Sequence, residues 1–202
     1  RGRRILYQHR IQFLTMATPQ MKNTEEERQE YARILDRMRH LCSVREYCTA
    51  DIRRKIMKML SERTGRDGKA EDAEEIIGGM LGSLQSDGYL SDTRYAKAFA
   101  RDKSSLSGWG AVKIRYALGA KGIDGGIIRS ALEEIDKDRA PDRLERLVAA
   151  KYRSLAPNLS GGKDGGQDSD KDGGNDVRMK IIRYAMGRGY GYDETVSVLQ
   201  KV

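Results

Sequence analysis

Two stretches of the chain carry the same apolar pattern 51 positions apart, and this repetition restricts the possible folds more than any other feature. Ile76, Ile77, Met80, Leu81 and Leu84 match Ile127, Ile128, Ala131, Leu132 and Ile135 place for place. The spacing follows the turn of an α-helix rather than the alternation of a strand. The segments before them also match: Ile52 and Ile56 correspond to Ile114 and Leu118, 62 residues later. The additional 11 positions fit an insertion around residues 61–70. A third copy lies 67 residues after the second, where Ile114 maps to Ile181, Lys121-Gly122 to Arg188-Gly189, and Ala131, Leu132 and Ile135 to Val198, Leu199 and Val202. Its surplus of 16 residues is about the size of a Gly- and Asp-rich stretch at 157–176. A unit near 51 residues with two insertions accounts for every offset.

Each unit also begins with a helical segment, at 25–41, 92–104 and 142–155. The expectation is an all-α fold of three tandem three-helix repeats, at 25–88, 89–138 and 139–202. A unit of this size is marginal alone, so neighbouring units stack. Thr49 is placed to N-cap the helix starting at Ala50, and Ser91 or Asp92 the helix carrying Tyr95 and Phe99. Gly122 and Gly189 are placed to end the middle helices in the left-handed conformation. No segment reads as a strand.

The two insertions and the chain start stand outside this pattern. Residues 1–24 contain no acid and include Arg1, Arg3, Arg4, Arg10 and Lys22, so they read as a basic, disordered extension. Met16 and Met21 within it are candidate starts. The 157–176 stretch cannot bury apolar surface and reads as a flexible linker. Its alternating Asp168, Asp170 and Asp172 lack the helical flanks and twelfth-position acid of a calcium loop. Its Gly-Gly-Lys lacks the spacing of a phosphate loop.

Composition narrows the function classes. The 202 residues carry 38 Lys and Arg against 30 Asp and Glu, a net charge of +8, which favours nucleic acid or an acidic protein surface as partner. No apolar run approaches the ~20 residues of a membrane helix. The only cysteines, Cys42 and Cys48, give no disulfide framework and fit a reducing cytoplasm.

The run Asp87-Gly88-Tyr89-Leu90-Ser91-Asp92-Thr93-Arg94-Tyr95-Ala96-Lys97-Ala98-Phe99 resembles the "GYLDDxRYAxxF" signature of the RecX family of bacterial recombinase regulators. Gly110, Ile114, Leu118, Lys121-Gly122-Ile123 and Ile127 follow the family's second half-motif. Arg45-Glu46-Tyr47 resembles its entry to the second helix, and Arg188-Gly189-Tyr190 with Tyr192-Asp193-Glu194 its ending. Ser91 stands in place of the family's first Asp. The resemblance covers about residues 27–202. It implies an elongated, curved helical array that binds the RecA filament, inhibits its ATPase and strand exchange, and in some members touches DNA. It assigns Gly88, Tyr89, Leu90, Asp92, Arg94, Tyr95, Ala96, Phe99 and Gly122 to the family framework. It implies a monomeric modulator, not an enzyme, with no cofactor.

The residues offer little material for catalysis or metal binding. His40, Cys42 and Cys48 lack zinc spacing, and His9 is the only other histidine. Glu74-Glu75 and Glu133-Glu134 read as equivalent solvated faces. Tyr89, Tyr95 and Phe99 read as core. Trp109, between Gly108 and Gly110, reads either as a plug between helices or as an exposed anchor. The basic residues carry the functional reading. Arg53, Arg54, Lys55 and Lys58 crowd the first middle helix, Lys113, Arg115 and Lys121 the second, and Lys180, Arg183 and Arg188 the third. Lys113 matches Lys180 and Lys121 matches Arg188 in the repeat. Equivalent positions can trace one charged stripe along a filament or along phosphates. The competing reading of these cations is a solvated face of mixed charge. A stand-alone helical DNA-binding protein or transcription regulator and a helical protein-binding scaffold are the alternative functions.

Overall fold

The structure, a computed structural model, describes residues 24–64, 70–137, 140–155 and 170–201. It is all-helical: among the described residues there are α1 (Glu25–Val44), α2 (Thr49–Thr64), α3 (Ala70–Ser86), α4 (Asp92–Ser105), α5 (Ala111–Gly119), α6 (Gly125–Lys137), α7 (Ala140–Leu155), α8 (Asp170–Gly187) and α9 (Tyr192–Leu199). In chain order, three helices fall in each of the segments expected from the repeat, with α2, α5 and α8 as the middle helices. Residues 1–23 of the expected 1–24 extension, with its two methionines, residues 65–69 of the first insertion, and residues 156–169 lie outside the described residues. The expected linker ends earlier than its composition suggested. Residues 170–176 belong to α8, because a helix nucleated by the packed stripe from Val177 onward gains one backbone hydrogen bond for each residue added before it.

The chain divides into two compact units, which meet in sequence between Tyr95 and Ala96. In unit 1, α1, α2 and α3 close around one core. Ile34 and Met38, Ile52 and Ile56, and Ile77 and Leu84 supply it, with Leu90 after α3 sealing one side. Removing one such aliphatic side chain costs about 2–5 kcal/mol. In unit 2, α5 packs on α6, while α7, α8 and α9 pack together. Leu144, Val148, Val177, Ile181, Ala185 and Tyr190 form the core of the latter group. The matched apolar positions Ile52, Ile114 and Ile181 are all fully buried.

Helix punctuation follows local chemistry, with one surprise. Thr24 and Glu27 exchange side-chain and backbone hydrogen bonds at the start of α1. Ser91 Oγ accepts the Arg94 N–H at 3.3 Å, capping α4. Asp124 Oδ1 accepts the N–H groups of Gly126 and Ile127 at 2.8 and 3.3 Å at the start of α6. Thr49, expected to cap α2, does not: its buried hydroxyl has no partner. The Cys48 carbonyl accepts the Asp51 and Ile52 N–H groups instead. The Thr49 N–H donates to Asp92 Oδ1 at 2.7 Å. A carboxylate at the first turn of one helix thus satisfies a free donor at the start of another, a strong charge-assisted bond.

Candidate partner-binding surface

The framework residues of the 88–99 stretch act on loop geometry. Gly88 takes φ +76° and ends α3. Leu90 is buried and its N–H donates to Leu84 O. Arg94 donates to Gly88 O at 2.9 Å and to Glu46 Oε1 at 2.9 Å, tying the loop to the entry of α2. The expectation of an aromatic core from Tyr89, Tyr95 and Phe99 is corrected. Tyr89 is exposed and the other two are half-buried. The face that α4 buries is Ala96, Ala100 and Ser104, whose small side chains let backbones approach closely.

A tight seam in unit 2 joins the N-terminus of α5 to the C-terminus of α8. Gly110 N–H donates to Arg188 O at 2.8 Å and Val112 N–H to Gly189 O at 3.3 Å. Lys113 Nζ donates to Gly187 O at 3.0 Å. Free N–H groups at the start of one helix therefore meet free carbonyls at the end of the other, where their partial charges are opposite. Only glycine fits here. A Cβ on Gly110 would lie 2.3 Å from Gly189 O, and one on Gly189 would lie 2.4 Å from Lys113 Cβ. Arg188 closes the seam by donating to Ser107 O, and its guanidinium lies 5.1 Å from the Tyr184 ring centroid.

Trp109 belongs to the same region. It is half-buried and meets Phe99 edge-on at 6.3 Å and 75°. The ammonium groups of Lys103 and Lys113 lie 5.0 and 4.8 Å from its centroid. Of the two readings, the plug describes these contacts.

The equivalent cations are not used equivalently. Lys113 and Arg188 are held in the seam, whereas Lys180, the repeat partner of Lys113, is exposed and paired with Asp176 at 2.5 Å. Lys121 is half-buried and engaged within the protein. In unit 1, Arg53 pairs with Glu74, Arg54 with Asp51 at 2.9 Å, and Lys58 with Glu62 at 3.8 Å. Arg115 on α5 and Arg183 on α8 are exposed and make no ion pair or hydrogen bond among the described residues. Of the four repeat-equivalent cations, Lys113, Lys121, Lys180 and Arg188, only Lys180 is exposed, and Arg115 and Arg183 stand beside that pattern as further exposed cations of α5 and α8. Sequence reasoning missed the apolar residues beside them, because Val112, Tyr116, Met179 and Met186 fit the composition of a core yet are exposed. Their signal was present in the pattern, since they fall on the helix side opposite Ile114, Leu118 and Ile181.

No cluster of three or more metal-ligating side chains occurs among the described residues. Burial first, and the Glu46 carboxylate second, raise the Cys42 thiol above its ordinary value, away from thiolate chemistry. No described helix is long and apolar enough to cross a membrane.

Residues 91–132 match the family model described as RecX, second three-helix domain. The chain is 30% identical over 176 residues to the regulatory protein RecX of Shigella boydii serotype 18, covering 84% of this chain and 92% of that one. It is 32% identical, with the same coverage, to the regulatory protein RecX of Shigella dysenteriae serotype 1. The chain belongs to the RecX family. The crystal structure of RecX from Lactobacillus salivarius shares its fold at a TM-score of 0.61 and 18% identity, over 86% of this chain and 96% of that one. A second crystal structure, of regulatory protein RecX, gives 0.64 at 16% identity, over 93% and 84%. The match to the RecX second domain begins at the capping residue Ser91 and takes in all of α5 and the first part of α6, including Trp109 and the seam glycine Gly110.

Proposed function

We propose that the chain is a cytoplasmic, monomeric modulator of the RecA recombinase, binding its filament and restraining its ATPase and strand exchange. Family membership across 84% of the chain, among relatives named as regulatory proteins, carries this reading. The charge pattern supports it. Helix α5, of sequence AVKIRYALG, contains no carboxylate, and Arg115 and Arg183 lack counter-charges among the described residues. Such a face suits an acidic groove, or phosphates read without regard to base sequence. Occupying the filament in this way blocks exchange of DNA or of subunits.

The test is DNA-dependent ATP hydrolysis by the recombinase, titrated with the full chain. The expected result is progressive inhibition, weakened about tenfold or more when Arg115 and Arg183 are both changed to Glu, since each removes a charge-assisted contact. Hydrolysis that is unchanged at saturating protein overturns the reading. Lys113 and Arg188 are unsuitable for this test, because their side chains hold the seam.

A further inference from the structure

Val112 and Tyr116 lie one turn apart on α5, with Arg115 beside them, and are 58% and 81% exposed. Ile114 and Leu118 of the same helix are fully buried, so the core already has its apolar supply. The spacing that relates Ile114 to Ile181 also relates Val112 to Met179, Tyr116 to Arg183, and Gly119 to Met186. Met179 and Met186 are 41% and 49% exposed. Two middle helices therefore show water a related stripe of valine, methionine, tyrosine and arginine; on α5 it contains no carboxylate, and on α8 it runs beside Lys180 and Asp176, which neutralise each other.

That composition selects a class of partner. Aromatic residues, methionine and arginine are enriched in protein–protein interfaces, whereas lysine and carboxylates are depleted there. Tyrosine and arginine dominate their energetic centres. Valine and methionine have no role along a phosphate backbone, which calls for cations and stacking rings. The uncompensated charges of Arg115 and Arg183 suit carboxylates at the rim of such an apolar contact.

We propose that the Val112–Tyr116 stripe anchors the chain on an acidic protein surface. The Tyr116 ring fills an apolar hollow and Arg115 pairs with a carboxylate at its rim. The Met179–Arg183–Met186 stripe is a second copy of the same device. This inference rests on the recombinase reading above, and it makes the recombinase protein, rather than its bound DNA, what unit 2 grips.

The test compares the full-length parent with Tyr116→Ala, Tyr116→Phe and Tyr152→Ala. Tyr152, a tyrosine of α7 that is 41% exposed, serves as control. Affinity is measured for the recombinase without DNA and, separately, for a single-stranded oligonucleotide. Tyr116→Ala should weaken recombinase binding by about thirtyfold. Tyr116→Phe and Tyr152→Ala should bind like the parent, the oligonucleotide affinity should not move, and melting should be unchanged for so exposed a side chain. A parent that binds and a Tyr116→Ala variant that binds equally well overturn the anchor alone. Loss of oligonucleotide binding with recombinase binding intact overturns it in favour of a base-stacking platform. A parent that binds no recombinase overturns the proposed function, and this partner with it.

Discussion

The two units spend their positive charge differently. Unit 1 sets many of its cations against its own carboxylates: Arg39 pairs with Asp36 and Asp87, Arg94 with Glu46, Arg53 with Glu74, Arg54 with Asp51, and Lys58 with Glu62, while Arg45 and Lys55 lie against the Tyr47 ring. Unit 2 aims several of its cations at carbonyls and rings. Lys113, Arg143 and Arg188 donate to backbone oxygens, and Lys103, Lys113, Lys151 and Arg188 lie against Trp109 or Tyr184. Carbonyls and rings fix a cation's position without cancelling its charge. Unit 2 therefore keeps a net positive field, with exposed arginines, Arg115 and Arg183 among them, that make no ion pair or hydrogen bond among the described residues. Positions matched in the sequence pattern, such as Ile114 and Ile181, share burial, whereas matched cations such as Lys113 and Lys180 meet different groups.

The sharpest way to break the comparison is at two glycines that share a left-handed backbone. Gly88 in unit 1 has φ +76° and open space where a Cβ would stand; Gly189 in unit 2 has φ +90° and Lys113 atoms within 2.4–3.0 Å of that point. Gly88→Ala should cost about 1 kcal/mol from backbone conformation alone. Gly189→Ala adds overpacking against the partner helix and should cost roughly 3 kcal/mol or more. Urea unfolding followed by circular dichroism measures both. Equal costs would mean that the seam is no tighter than an ordinary helix end.

Lys113 and Arg53 test the same contrast at the level of charge. Lys113→Met removes a charge-assisted bond to Gly187 O and a cation from the face of Trp109, at about 1–2 kcal/mol. Arg53→Met breaks an ion pair between two half-exposed side chains, which should change stability within ~0.5 kcal/mol. Trp109 is the only tryptophan, so its emission reports the seam directly. Its spectrum should shift for Lys113→Met and stay fixed for Arg53→Met. An unmoved spectrum in the lysine variant would detach Trp109 from the seam.

Much of this was legible before any coordinates. The burial of Ile52, Ile114 and Ile181 follows from periodicity, and the positive φ of Gly122 and Gly189 follows from their places after an apolar stripe. The fate of each cation was not legible, because it depends on which group lies opposite across the fold. Lys113 and Lys180 share a repeat position, yet one meets the open end of α8 and the other meets Asp176. Nor could sequence show that Asp92, beside a good cap residue, would serve the backbone of Thr49, 43 positions away. The exposure of Tyr116 was legible only in part: the pattern puts it opposite Ile114 and Leu118, but a short helix with apolar residues on both sides does not announce which side is wet.

The smallest effect concerns the one carboxylate of unit 2 that does gather cations. Glu134 accepts from Lys97 Nζ at 2.9 Å and from Arg101 Nη2 at 3.0 Å. The hydrogen bond from Lys97 is the main cause that lowers its pKa below the ordinary 4.5, with partial burial opposing and the Arg101 contacts assisting. A carboxylate with a depressed folded pKa stabilises fully above its unfolded value, and this stabilisation fades as pH falls through the folded value. Stability should therefore show a small loss below about pH 4.5 that Glu134→Gln abolishes. The group is open to water, so screening in about 1 M salt should bring its pKa back toward the ordinary value. A side-chain carboxyl titration by NMR at low and high salt reads this directly. A low-salt pKa at or above the ordinary value would show that Lys97 and Arg101 are as uncommitted as Arg115.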